Sequence, residues 1–224
     1  MEEMNELMGI LGSGEAESVS TSVQLLLLLT VLSLAPSILI LFTCFTRIVI
    51  VLSFVRTSLA TQQMPPNQVL IGLSLFLTFF IMGPVLSEAN EQALTPLLEE
   101  KITLEQAYVK AEKPFKEFMS KHTRQKDLEL FLNYANIEKP KTVDDIPITA
   151  LVPAYAISEI KTAFQIGFMI FIPFLVIDMV VASILMSMGM MMLPPVMISL
   201  PFKILLFVLV DGWYLVIKSL LQSF

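Results

Sequence analysis

The stretch Met186-Ser-Met-Gly-Met-Met-Met-Leu-Pro-Pro195 joins two long apolar runs and carries five of the chain's 14 methionines within seven positions. Methionine is unbranched and polarizable, so a cluster of it moulds to a variable partner or closes on itself. Gly189 permits a tight turn, and Pro194 and Pro195 stop a helix from running straight on. Soft, uncharged side chains at the junction of two membrane helices read either as a seal or as filling between packed helices.

Working outward, the chain is 224 residues long, 55% hydrophobic and only 15% charged, with a mean hydropathy of +0.77. Soluble domains carry roughly 25% charged residues, so this is a polytopic membrane protein. Its net charge of −6 argues against a nucleic-acid partner. The single Cys44 excludes a disulfide framework, and the single His122 leaves no histidine metal site and no cofactor to expect.

Four segments follow from composition. Residues 1–22 form an acidic tail without Lys or Arg, unlike the basic start of a secretory signal. Residues 23–86 form a first hydrophobic hairpin. Its first run, from Val23 to Val55, is interrupted only by Arg47 and is too long for one simple span of about 20 residues. Pro36 is expected to kink it, and Arg47 and Arg56 to mark its far side. Pro65 and Pro66 make a turn or hinge, with Asn67 as a cap, and Gly83-Pro84 is expected to end the second run.

Residues 87–152 hold most of the charges and read as a small, water-exposed helical subdomain. Thr103-Leu-Glu-Gln106 fits a capping box, opening a helix bent or restarted at Pro114. A short helix follows over 127–136. Phe115, Phe118, Leu128, Phe131, Leu132 and Tyr134 recur at helical spacing as a small core. Residues 153–224 form the second hydrophobic hairpin around the methionine loop. Its first helix starts after Pro153, kinks at Pro173 and allows close packing at Gly167. Its second is one run over about Val196–Leu221. The fold class is therefore all-α, with about four long kinked helices in hairpins and a helical extracytoplasmic subdomain.

Asp178, Lys203 and Asp211 lie inside these apolar runs. Lys or Asp costs roughly 2.5–3.5 kcal/mol at a helix centre, against about 0.3–0.6 kcal/mol returned by each Val, Ile, Leu or Phe. The last run is then marginal in lipid by itself, and its charges must face protein or water. Pairing of Lys203 with Asp178 or Asp211 as glue is one reading, and a proton relay is the other. By the positive-inside rule the loop bearing Arg56 lies in the cytoplasm with the methionine loop, while the N-terminus, the polar subdomain and the C-terminus lie outside. No enzyme emerges: no histidine is placed as a base, and a lysine near two aspartates opposes their sharing a proton. An ion-coupled transporter using the buried Asp and Lys charges remains an alternative, since broken helices are its usual sign.

Four stretches carry a closer likeness: Phe45-Thr-Arg-Ile-Val-Ile-Val-Leu52; Pro65-Pro-Asn-Gln-Val-Leu70 through Met82; Ser158-Glu-Ile-Lys161 through Phe168, with Phe171-Ile-Pro-Phe-Leu-Val-Ile-Asp178; and Gly189 through Pro195, with Leu200-Pro-Phe-Lys203 and Val210-Asp-Gly-Trp213. On these, nearly everything from residue 23 onward resembles the FliP family of flagellar biosynthesis proteins and their virulence-secretion relatives. The resemblance implies the core of a type III export gate in the inner membrane, within the flagellar basal body. It implies a pentameric unit of this chain joined by FliQ and FliR, meeting FlhA and FlhB, and passing unfolded flagellar subunits. It implies a pore gasket at Met190, Met191 and Met192, flanked by loop residues Gly189, Pro194 and Pro195. It also implies helical hairpins partly above the plain bilayer, with Arg47, Asp178, Lys203 and Asp211 buried between subunits.

Overall fold

The computed structural model describes residues 26, 29–30, 32–34, 36–61, 63–190 and 192–224. The acidic tail, the start of the first run, Gln62 and Met191 lie outside the described residues. The chain divides into two units, Met1–Leu39 and Ile40–Phe224. In the first, the described residues are helical.

The second unit is built from seven helices among the described residues: α1 (Phe45–Ser58), α2 (Asn67–Leu98), α3 (Leu104–His122), α4 (Gln125–Tyr134), α5 (Ile148–Ser187), α6 (Pro195–Leu209) and α7 (Gly212–Gln222). It is all-α, and α2 and α5 are each long and apolar enough to cross a membrane. So are α6 and α7 together, although they meet at 63°.

The core sits on α1. Ile48, Val51, Leu52 and Val55 recur at helical spacing and are fully buried, packed between α2 and α5. Gly167 of α5 lets Phe54 of α1 lie flat against the helix backbone, since a Cβ there would stand 2.5 Å from the Phe54 ring. A smaller core joins Met119 and Ile146 to Leu151 and Tyr155 at the head of α5, with Phe115, Phe118 and Leu128 against it. Tyr134, assigned to that core by its spacing, is 90% exposed instead.

Several boundaries differ from expectation. Helix α2 does not end at Pro84 but continues to Leu98, with π-helical turns over Asn90–Leu94. A proline removes one backbone donor, and Met82 and Ala93, buried on either side, hold the flanking turns in place. Asn67 is not the cap: Pro66 holds that position, and the Asn67 side chain accepts a hydrogen bond from Arg56. Helix α3 runs unbroken through Pro114. It opens on the expected capping box, with Gln106 N donating to Thr103 Oγ1 at 3.4 Å and Thr103 N to Gln106 Oε1 at 3.2 Å. Helix α5 starts at Ile148, before Pro153, and stays one helix through Pro173.

The last apolar run is two helices, not one. Asp211 takes a left-handed backbone (φ 51°), a conformation that Asp tolerates better than most residues. Gly212 follows so close to the Phe207 ring that a Cβ would collide with it. The chain therefore bends at Val210-Asp211-Gly212.

Candidate functional site

The methionine loop is built by its flanking caps. At the end of α5, Met190 N donates to Leu185 O at 3.0 Å and Gly189 N to Met186 O at 3.1 Å, while Gly189 is left-handed (φ 74°). This is a Schellman ending, which satisfies the last helical carbonyls and turns the chain sharply. Pro194 then caps α6 and Pro195 occupies its first position, where a missing N–H costs nothing. Between these two caps Met188 and Met190 are exposed and Met192 is 98% exposed. The loop thus presents thioether side chains at the tip of the α5–α6 hairpin, without a charged residue between Met186 and Pro195.

Below the tip, the hairpin is tied by charge. Lys203 Nζ of α6 donates to Asp178 Oδ2 of α5 at 2.6 Å and to Ser58 O at 3.2 Å. Ser199 Oγ donates to the other Asp178 oxygen. Ser58 is the last residue of α1, where unpaired carbonyls and the helix dipole favour a cation. One lysine therefore joins three helices. Lys203 is 2% exposed, whereas the Asp178 side chain keeps 27% of its surface open. Asp211 takes no part in this cluster and is exposed in the single chain.

The second buried charge has a partner that sequence reading missed. Arg47 Nε donates to Glu159 Oε2 of α5 at 2.9 Å, and Nη2 donates to the other carboxylate oxygen. Nη1 reaches Ser223 O at 2.8 Å and Ser223 Oγ at 3.0 Å, and the guanidinium lies 3.8 Å from the centre of the Phe224 ring. Arg47 and Arg56 do not sit together: Arg47 stands beside the C-terminal residues and the polar subdomain, because the chain turns at Thr43-Cys44 and α1 starts there. Arg56 lies at the opposite end of α1, near Pro65 and Asn67. The available signal was a lone Arg47 within an apolar stretch and Glu159 with only Lys161 near it in the chain.

The polar subdomain is held to this end by two further contacts. His122 Nδ1 lies 2.8 Å from the Phe118 carbonyl oxygen, and Nε2 lies 3.4 Å from the Phe224 oxygen. Burial pushes the His122 ring below its ordinary range, and the nearby positive charges of Arg47 and Lys121 add to the effect. Asp127 of α4 accepts from Ser158 Oγ of α5 at 2.7 Å and from Arg124 at 2.6 Å. Burial raises the Asp127 carboxyl, but these hydrogen bonds outweigh it and hold the group below its usual value. Among the described residues no His, Cys, Asp or Glu cluster could hold a metal.

The profile of the FliP family matches residues 28–220. The chain belongs to the FliP family. The flagellar biosynthetic protein FliP of Bacillus subtilis (strain 168) is 77% identical to it over 99% of this chain and 100% of the relative. That of Aquifex aeolicus (strain VF5) is 54% identical over 94% of this chain and 89% of the relative. That of Treponema pallidum (strain Nichols) is 51% identical over 92% and 77%. As a FliP-family member, the chain is a flagellar biosynthesis component whose apolar helices suit it to a membrane.

Proposed function

We propose that this chain is a non-enzymatic subunit of the flagellar protein export gate in the inner membrane of the cell. Copies of it, in a pentameric unit with FliQ and FliR, surround a conduit for unfolded flagellar subunits and meet FlhA and FlhB. The polar segment 87–152 faces outside. Met190, Met191 and Met192 form the gasket of the conduit, and Gly189, Pro194 and Pro195 set its height on the hairpin.

The observation that carries this reading is Met192. With Met188 and Met190 it makes a contiguous apolar tip on the hairpin, and contiguous exposed apolar surface marks an interaction site; the same loop from neighbouring copies supplies a cover of matching chemistry. Thioether chains pack closely enough to exclude ions, yet they have three rotatable bonds each and part for a passing polypeptide. The two charge clusters support the same reading, because they fix the hairpins that carry the loop. Lys203 is held by two acceptors, Asp178 and the Ser58 carbonyl, which favours a structural role over ion coupling.

The test is ion leak. Replacing Met190, Met191 and Met192 together by Ala should leave the assembled complex intact and raise sodium or proton leak in cells that express it. Unchanged sealing in an intact complex would defeat the gasket assignment.

A further inference from the structure

The sulfur atoms of this chain differ sharply in what can reach them. Its one thiol, Cys44, is fully buried, and Met82 and Met119 are 1% and 0% exposed. Met169 and Met179 are open, but they lie inside the apolar run of α5, a helix fit to cross a membrane. Met192 is 98% exposed and lies in a loop between two helix ends. Exposure decides which methionines are oxidised to sulfoxides, and on that ground Met192 comes first in the hairpin.

The loop cannot absorb a sulfoxide. With hydrogen peroxide, the thioether sulfur attacks one peroxide oxygen. The O–O bond breaks as the S–O bond forms, and a proton passes to the leaving hydroxide. Sulfoxide and water result, the sulfur losing the two electrons that the peroxide gains. The product is polar where the thioether was apolar. Its oxygen needs a donor, and the loop has few to give. The N–H groups of Gly189, Met190 and Leu193 are already engaged, and Ser187 Oγ donates to the Ile184 carbonyl. Pro194 and Pro195 have no N–H at all. A polar group enclosed without a partner is costly, so a sulfoxide here draws in water.

We propose that Met192 is an oxidation site that makes the methionine loop a redox-sensitive seal: peroxide converts its thioether to the sulfoxide and ions pass, until a methionine sulfoxide reductase restores it. This rests on the gasket reading above. A constriction that stops ions by staying dry depends on apolar walls, and one sulfoxide per copy wets the whole ring. Hydrogen peroxide is barely larger than water and reaches such a ring from either side. The Schellman bonds at Gly189 and Met190 and the cap at Pro194 hold the backbone on both sides of Met192. Oxidation therefore changes what the loop presents and not where it stands.

The purified, assembled complex tests it. After brief treatment with hydrogen peroxide, peptide mass spectrometry should find one added oxygen on Met192. Met64, 75% exposed in the α1–α2 connection, should be oxidised as well, while Met82 and Met119 stay unmodified. Reconstituted in liposomes, the oxidised complex should leak ions several-fold faster than the untreated one. Treatment with methionine sulfoxide reductases of both stereospecificities before reconstitution should return the leak to its starting level. Met192→Leu, compared with its own untreated sample, should lose most of the peroxide-induced rise, and Met64→Leu should lose none of it. Oxidation of Met64 without Met192, or a rise that survives Met192→Leu, would overturn the switch. So would full oxidation of Met192 without added leak, in a complex that does leak when Met190, Met191 and Met192 are all replaced by Ala. A seal that neither the alanine replacement nor the sulfoxide disturbs would defeat the gasket reading, and the switch with it.

Discussion

Arg47 at the head of α1 and Glu159 in α5 stand 112 positions apart in the chain and are joined by two hydrogen bonds inside one core, both side chains almost wholly buried. Removing one partner leaves an uncompensated charge away from water, at a cost of roughly 3–5 kcal/mol. Removing both as apolar residues of similar volume is often neutral or stabilising. Glu159→Leu should therefore destabilise strongly, and the double variant Arg47→Met with Glu159→Leu should recover most of the loss. Thermal unfolding in detergent measures it. Equal instability in single and double variants would mean that the pair does more than neutralise itself, with the Ser223 and Phe224 contacts as the first suspects.

The Asp178–Lys203 pair predicts an asymmetry. Lys203 is buried, whereas the Asp178 side chain keeps 27% of its surface uncovered by the chain and a second partner in Ser199. Asp178→Ala strands an ammonium away from water, a loss of roughly 3–5 kcal/mol. Lys203→Met leaves a carboxylate that keeps the Ser199 hydroxyl as a donor, together with the Ser58 carbonyl, a loss of about 1–3 kcal/mol. Of the two, Asp178→Ala should unfold at the lower temperature. The opposite order would show that the tie to Ser58 outweighs the ion pair.

His122 sets a pH dependence whose sign follows from its shift. Its ring pKa is lowered in the folded chain, so the unfolded chain takes up the proton first. Stability is complete above the ordinary value of about 6.5. It falls as pH drops from there toward the folded value, and levels off below it. His122→Gln should flatten this slope between about pH 7 and the folded value. A slope unchanged by the substitution would assign the dependence to another group. Asp127, held below the usual carboxylate range, contributes only at lower pH.

Much of this architecture was legible before any coordinates. The apolar runs, the capping box at Thr103 and the turn at Gly189 follow from composition and local chemistry, because each acts over a few residues. Pro84 and Pro153 misled because a proline marks a lost hydrogen bond and not necessarily an end. Both sit in helices whose packing outweighs that loss. The break at Asp211 was hidden because an apolar window averages over it, although Asp-Gly is a turn pair. Arg47–Glu159 was hidden for another reason: pairing across more than a hundred residues is a property of the fold, and in the chain the charge nearest Glu159 is Lys161.

Gly189 allows the backbone of the methionine loop to be tested apart from its side chains. Its φ of 74° is left-handed, and a Cβ there would meet nothing within 4 Å. Substitution therefore acts through backbone strain alone, about 1–2 kcal/mol for an ordinary L-residue. Asn visits this region readily, Ala less so, and a β-branched residue least. Ion leak and loss of thermal stability should rank Gly189→Asn, then Ala, then Val, with Asn near the parent. The ranking matters because the Schellman bonds from Gly189 and Met190 set where the methionines emerge from α5. If Val leaked no more than Asn, the position of the thioethers would not depend on that turn, and the proposed gasket would not need it.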